Sequence, residues 1–179
     1  EKKIMSGYFI TFEGPESSGK STQAKLLKQY LTKKGFFCLF VREPGSTSFG
    51  EKIRKILLDK KNSHLSHSTE LLLYMAARAQ IIKEVIKPAL KKNKVVICDR
   101  FLDSTIAYQG YGLGMDIGFI KRIGEFVTEG IAPDITLLLD NSAANLSITT
   151  GANVNITVNL TAGVGFVELY NAGTFIANS

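Results

Sequence analysis

The sequence predicts an α/β fold of three layers, with helices on both faces of a parallel sheet, followed by a β-patterned C-terminal segment. Three observations predict it. Short apolar runs near residues 8–12, 36–41, 94–98 and 135–139 alternate with longer stretches of helical periodicity. A glycine-rich loop joins the first run to the first helix. From Asn141 onward the composition turns to Asn, Thr, Gly, Ala and Val, with apolar and polar residues alternating. The chain accordingly divides into residues 1–140 and residues 141–179.

The first run, Tyr8 to Phe12, is strand-like, and Gly14-Pro15-Glu16-Ser17-Ser18-Gly19-Lys20-Ser21 follows it. This stretch fits G-x-x-x-x-G-K-[ST]. A helix begins near Lys20, with Ala24, Leu27, Tyr30 and Leu31 on one side and lysines mostly on the other, and Gly35 stops it. Strand, glycine loop and helix together make a phosphate cradle. The glycines let successive N–H groups converge on one anion, and the helix start adds its positive dipole end. In such a loop Lys20 reaches the β- and γ-phosphates of a nucleotide, and the Ser21 hydroxyl ligates Mg²⁺.

Phe36 to Val41 reads as the second strand, running into a turn-forming loop, Arg42 to Thr47. A helix from about Phe49 to Leu58 places Ile53, Ile56 and Leu57 inward. Residues 59–67 read as a polar loop. Ser68 or Thr69 caps the next helix, which runs through Tyr74 and Arg78 until Pro88 kinks or ends it. The third strand, Lys94 to Cys98, delivers Asp99 and Arg100 at its carboxyl end. Ligands of open α/β sheets bind there, which places Asp99 to act on Mg²⁺. A helix near Asp103–Tyr108, a glycine-rich loop at Gly110–Gly114, a helix at Asp116–Glu129 and a strand at Ile135–Leu139 complete the order.

In the tail, Val154, Ile156, Val158 and Leu160 alternate with polar residues as in a half-buried strand. Gly163 and Gly165 suggest a turn, and Phe166–Tyr170 a return strand. Three Asn-x-Ser/Thr triplets in this stretch read as incidental to an Asn/Thr-rich composition.

Charge is unevenly spread. All 22 Lys and Arg lie at or before Arg122, with 11 of the 16 acids, so residues 1–122 carry +11 and the remainder −5. With a glycine loop present, that balance favours a small polyanionic ligand over nucleic acid. No apolar run approaches membrane length, and the N-terminus lacks the apolar core of a signal peptide. Cys38 and Cys98 sit in apolar runs without metal-ligand spacing, which predicts buried free thiols in a reducing cytoplasm. His64 and His67, in a polar loop, receive no role.

Over residues 8–140 the ordered blocks FEGPESSGKST, REPGST followed by GEKIR, LLLYMAARAQ, DRFLDSTIAYQGYG and PDITLLLD resemble thymidylate kinase. The bacterial form is the closer match, because the glycine loop carries Glu16 and no arginine. The resemblance implies a P-loop fold and Mg²⁺-assisted transfer of the γ-phosphate of ATP to dTMP, in a cytoplasmic protein that is commonly a homodimer. It implies that Gly14 to Thr22 hold ATP, with Thr22 closing the loop motif and Ser21 and Asp99 near the metal. It puts Glu16 beside the acceptor's sugar and phosphate, Arg54 and Arg100 on the dTMP phosphate, and Tyr74 on the thymine. It gives Arg78 a base contact and makes Glu43, Ser104 and Gln109 nucleoside contacts. Lys20, Glu16, Arg100 and Asp99 form the catalytic set. The chemistry is consistent with this, since holding two polyanions in line calls for several arginines.

Two departures stand out. Ser17 and Ser46 occupy positions where the family has glycine. An arginine-bearing lid is expected after the fourth strand, yet no Lys or Arg follows Arg122. The lid's absence leaves two alternatives open: a nucleotide-binding domain with impaired catalysis, or a kinase for another nucleoside monophosphate.

Overall fold

Strand β1 (Phe9–Glu13) is buried at all five positions, the pattern of a central strand covered on both faces. In the computed structural model, which describes residues 7–139 and the backbone of strand segments 145–150, 155–159, 169–171 and 174–177, β1 lies between β3 (Val95–Asp99) and β4 (Ile135–Leu139). Strand β2 (Cys38–Arg42) pairs outside β3, and all four of these strands are parallel. Side chains of β1 alternate between layers. Phe9 joins Val96, Cys98 and Ile86 on one face, while Ile10 and Phe12 join Ile97, Leu137 and Ala24 on the other. Asp134 fixes the start of β4 by accepting the Phe9 N–H at 2.7 Å and returning its own N–H to the Phe9 carbonyl at 2.8 Å.

Helix α1 (Lys20–Lys33) covers the second face and ends at Lys34, with Gly35 at φ +91°. Helix α2 (Ser48–Leu58) is capped by the Thr47 hydroxyl, which accepts the Gly50 N–H at 2.8 Å. Its inward stripe is narrower than its apolar pattern suggests. Ile53 is buried, but Ile56 is exposed at the stripe's margin. A short 3₁₀ turn (Lys60–Asn62) occupies the stretch expected to be loop.

Helix α3 (His67–Ile81) starts two or three residues earlier than the Ser68/Thr69 reading, because Ser66 supplies the cap to the Thr69 N–H. It does not stop at Pro88. The helix widens into π-type turns over Ile82–Ile86 and continues as α4 (Lys87–Lys91), with the proline in the first turn where its missing N–H is tolerated. Likewise α5 (Leu102–Thr105) passes into a π-type stretch, Ile106–Gly112. This absorbs Gly110 and Gly112, which were expected in a loop. Helix α6 (Ile117–Thr128) is capped by Asp116 and ends at Glu129 in the left-handed region. Of the two thiols, both free, Cys98 is fully buried but Cys38, at the start of the outer strand β2, is only half-buried.

Beyond β4 the sheet turns antiparallel. Strand β5 (Asn145–Thr150) pairs with β4, and β6 (Asn155–Asn159) with β5, giving the order β2-β3-β1-β4-β5-β6. The expected alternation thus yields β6. The expected return strand is shifted: β7 (Leu169–Asn171) pairs with β8 (Thr174–Ala177) in a separate ribbon. The predicted turn at Gly163 and Gly165, and the side chains of the tail, lie outside the described residues.

Gly14 is where β1, β4 and the loop meet. Its φ is +137°, and a Cβ built there would lie 2.1 Å from the Leu139 carbonyl oxygen. We expect Gly14→Ala to destabilise the fold by about 3 kcal/mol, through backbone strain and the clash with backbone. Calorimetry should then show a fall in Tm of roughly 10 °C.

Candidate active site

The site forms at the carboxyl ends of β1, β2 and β3, where each strand hands over a charged residue: Glu13, Arg42 and Asp99. After Glu13 the chain curls through Gly14, Ser17 (φ +62°) and Gly19 (φ +86°), and Gly19 is the N-cap of α1. Ser17 and Ser46 (φ +63°), the two departures from glycine, thus both adopt the left-handed backbone that glycine takes without strain. Ser46 is compensated. Its hydroxyl accepts the Arg42 N–H at 2.8 Å and donates to the Arg42 carbonyl, while its own N–H donates to Glu51 at 2.8 Å.

Lys20 is 6 % exposed, and its ammonium donates to the Pro15 carbonyl and the Ser18 hydroxyl, folding back on the loop it belongs to. Burial, followed by the nearby Arg100 cation, lowers its pKa. Ser21 donates its hydroxyl to Asp99. The Lys20 and Ser21 side chains therefore stand near a carboxylate at the end of β3.

On the opposite side, the loop after β2 contains a cis Glu43–Pro44 peptide and buries Glu43. Glu43 Oε2 accepts from Arg78 Nε at 2.7 Å, and Glu43 Oε1 is buried without a hydrogen-bond partner among the described residues. Burial raises the Glu43 pKa against the lowering effect of Arg78. Arg78, on α3, is 2 % exposed. Its Nη2 donates to the Phe101 carbonyl at 3.0 Å and to Thr105 Oγ1 at 3.1 Å, and its plane lies over the Phe101 ring.

Arg54, on α2, donates to the Pro44 carbonyl at 3.0 Å. Burial, then the Arg42 cation, lowers its pKa. Arg100 sits just past β3 at φ +70°, bonded to Ser104 at 3.0 Å and stacked over Tyr108. Gln109 is buried and donates its amide N–H to Glu70 at 2.7 Å. A carboxylate cannot donate, so this bond fixes which end of the amide faces Glu70 and leaves the carbonyl oxygen on the other side. Tyr74 is half-buried, and burial followed by Glu70 raises its hydroxyl pKa.

These groups surround one cavity of about 490 Å³. Of the residues expected from sequence, Glu16, Ser17, Lys20, Ser21, Glu43, Arg54, Tyr74, Arg78, Asp99, Arg100, Ser104 and Gln109 line it. Gly14, Pro15, Ser18, Gly19 and Thr22 belong to the loop and the first turn of α1 but not to the cavity wall. Glu43 turns inward to Arg78 more than to open space. The sequence reading missed Arg42, Glu70, Phe101, Thr105 and Tyr108 on the wall, and Glu13 behind it. Glu13 and Arg42 carried a usable signal, being charged residues that end apolar strands. The other four lie on helices or a turn and carried none.

A family model for thymidylate kinase matches residues 12–149. The thymidylate kinase of Geotalea daltonii is 55% identical over 134 residues, covering 75% of this chain and 63% of that protein. That of an Exiguobacterium species is 48% identical over 136 residues, covering 76% and 64%. A crystal structure of thymidylate kinase from Ehrlichia chaffeensis aligns with a TM-score of 0.70 at 44% identity, covering 75% of each chain. The chain thus spans less than two thirds of the length of these curated relatives.

The buried Glu43–Arg78 pair yields a stability test. Arg78→Met leaves an uncompensated buried carboxylate, with an expected loss of about 3–5 kcal/mol at neutral pH. Because burial raises the Glu43 pKa, its protonated form is favoured in the fold, and stability falls as pH rises through its titration. Without Arg78 that titration moves to higher pH still. Urea melts should therefore show the variant's deficit largest at pH 7.5 and smaller at pH 5. An equal deficit at both would mean that Glu43 is not its source.

Proposed function

We propose that this chain, which belongs to the thymidylate kinase family, transfers the γ-phosphate of ATP to the 5′-phosphate of dTMP, giving dTDP and ADP. The observation that carries this reading is the shared cavity: the glycine loop's Lys20 and Ser21 open onto the same space as Arg54, Arg100, Tyr74 and Arg78. A donor nucleotide lies with its terminal phosphates on the loop. Lys20 exchanges its contact with the Pro15 carbonyl for the β- and γ-phosphates. The acceptor's phosphate lies between Arg54 and Arg100, with Glu16 near its sugar and Tyr74 against the pyrimidine face.

A phosphate oxygen of dTMP then bonds to the γ-phosphorus as the bond to the β–γ bridging oxygen breaks, and ADP leaves with that electron pair. The acceptor phosphate is already anionic, so no general base is required. The work of the side chains is to align two anions and to offset their repulsion. Arg78 and Gln109 present, respectively, a cationic donor and an amide carbonyl to the base, with Ser104 beside the nucleoside. The uncharged-acceptor and charged-donor pair suits the 4-carbonyl and N3–H of thymine better than the 4-amino group of cytosine.

The residues present fit Mg²⁺. Ser21 and Asp99 are adjacent hard-oxygen groups, hydrogen-bonded to each other. Among the described residues no cluster of three or more His, Cys, Asp or Glu could hold a metal unaided. Mg²⁺ characteristically takes few protein oxygens and completes its shell with water and phosphate. When bound, it would neutralise charge on the β- and γ-phosphates.

The working unit in this proposal is residues 1–140, with 141–179 an addition whose described strands β5 and β6 continue the sheet from β4. We place the protein in the cytoplasm, where its free thiols Cys38 and Cys98 persist. No described helix is long and apolar enough to cross a membrane. Neither nucleic acid nor membrane enters the proposal as a partner. A second copy of the chain does: α2, α3 and α6 pack side by side and expose Phe49, Leu72 and Phe126.

An ADP-release assay tests the activity. Turnover of dTMP should fall by roughly 100-fold or more in Lys20→Ala, stop on chelation of Mg²⁺, and exceed turnover of dCMP, dAMP and dGMP. No turnover above the Lys20→Ala control would refute kinase action. Saturable binding of both ligands without turnover would instead support the binding-domain alternative. For the assembly, sedimentation should show a dimer that Phe126→Asp converts to monomer with activity per chain reported alongside. A wild-type monomer would reject the dimer.

A further inference from the structure

One charged group at the site has no part in the chemistry above. Glu13, the last residue of the central strand β1, is 4 % exposed, among the most buried acids in the described chain. Its two carboxylate oxygens are both engaged. Oε1 accepts the backbone N–H of Phe101 at 2.7 Å, and Oε2 accepts the hydroxyl of Ser104 at 2.5 Å. Ser104 Oγ in turn accepts from Arg100 Nη1 at 3.0 Å. The direction of this relay is forced. An ionised carboxylate only accepts, so the Ser104 proton points to Glu13 and a lone pair is left for the guanidinium.

The backbone repeats the pattern. Arg100 stands at φ +70°, a conformation that non-glycine residues rarely hold unless their neighbours are fixed. Here the neighbours are fixed on both sides: the Arg100 N–H donates to the Phe12 carbonyl at 2.9 Å, and the next N–H, that of Phe101, donates to Glu13. Strand β1 therefore holds both the bend at Arg100 and the tip of its side chain. Burial raises the Glu13 pKa, while the bonds from Ser104 and Phe101 lower it, so the fold sets a desolvated acid against two donors. A buried carboxylate in a loop needing only to be filled has no reason to engage the side chain bonded to a cavity arginine.

We propose that Glu13 is a positioning residue for Arg100, fixing its backbone through the Phe101 N–H and its guanidinium through Ser104 so that the cation is aimed before the acceptor phosphate arrives. The proposal rests on the reading that Arg100 grips that phosphate. Preorganisation of this kind acts chiefly on acceptor binding and in-line geometry; on the donor side Glu13 and Arg100 reach Lys20 only as charges acting through space, with opposite signs.

The test uses the full chain with Glu13→Gln, Ser104→Ala, Ser104→Thr and the double variant Glu13→Gln/Ser104→Ala. Ligand-free crystal structures of wild type and Glu13→Gln come first: the Arg100 guanidinium should leave Ser104 in the variant. In kinetics, KM for dTMP should rise by about tenfold in Glu13→Gln and in Ser104→Ala, with KM for ATP within about twofold. Ser104→Thr, which keeps the hydroxyl, should recover part of what Ser104→Ala loses. The double variant should be no worse than the worse single, because both act through one chain of bonds. An unmoved Arg100, parallel rises in both KM values with a lowered Tm, or additive losses would overturn the proposal. If Glu13→Gln does not fold, Glu13→Asp, which keeps the charge but draws it back from the Phe101 N–H and Ser104, takes its place in both measurements. Absence of dTMP turnover in the wild type would sink the kinase reading alone, and the crystal comparison would still settle the role of Glu13.

Discussion

The buried ion pair between Glu43 and Arg78 is the interaction on which the site's architecture depends. A lone charge in that position would be expelled or neutralised, so the pair obliges three separate parts of the chain to meet. Glu43 comes from the loop after β2, Arg78 from the last turn of α3, and a further guanidinium nitrogen reaches the carbonyl of Phe101, the N-cap of α5, and the hydroxyl of Thr105, its last residue. The pair offers little net stability compared with an apolar core of the same size. What it contributes is register, fixing where α3 sits along the sheet and thus where Tyr74 faces the cavity. Glu13, at the end of β1 on the other side of β3, bonds to Phe101 and Ser104, so two buried carboxylates tie the helical layer to the strand ends.

Electrostatics at the site follow from that arrangement. The excess of lysine and arginine in residues 1–122 is largely a solvated surface, but five of those cations, Lys20, Arg42, Arg54, Arg78 and Arg100, face one cavity. Their mutual repulsion is visible in the lowered pKa of Lys20 beside Arg100 and of Arg54 beside Arg42, in both cases after the effect of burial. Acids in the wall moderate it: Glu16, Glu43, Glu70 and Asp99. A polyanion entering this space offsets that repulsion, which is how such a site can favour binding without any one exceptional contact.

Much of this was legible in the sequence, and what was missed has physical reasons. The four parallel strands were found because each is a short apolar run, buried throughout in β1 and β3, and the carboxyl ends of β1, β2 and β3 were one residue short because the terminal residue is charged: Glu13, Arg42 and Asp99. Twelve of the cavity residues on the motif blocks were found together. Tyr108, Thr105 and Glu70 were not, since their roles depend on helix phase and on side-chain direction, which spacing alone does not reveal. Ile56 was placed inward by periodicity, yet the width of an apolar stripe is decided by its partner, and α3 covers only part of α2. The π-type turns were invisible for a similar reason: a single inserted residue changes helical phase without changing composition.

That inserted residue has a consequence for how the protein can vary in length. Between Tyr74 and Arg78 at the cavity and Ala89 and Leu90 against the sheet, the helical segment passes through the widened turns at Ile82–Ile86. Deleting one residue there would rotate everything downstream by about 100°, carrying Ala89 and Leu90 off the core while Arg78 stayed put. A change of length in this segment is therefore costly, whereas the turn at Lys60–Ser63 lies at the surface away from both, so that the spacing between pocket and sheet behaves as a fixed ruler.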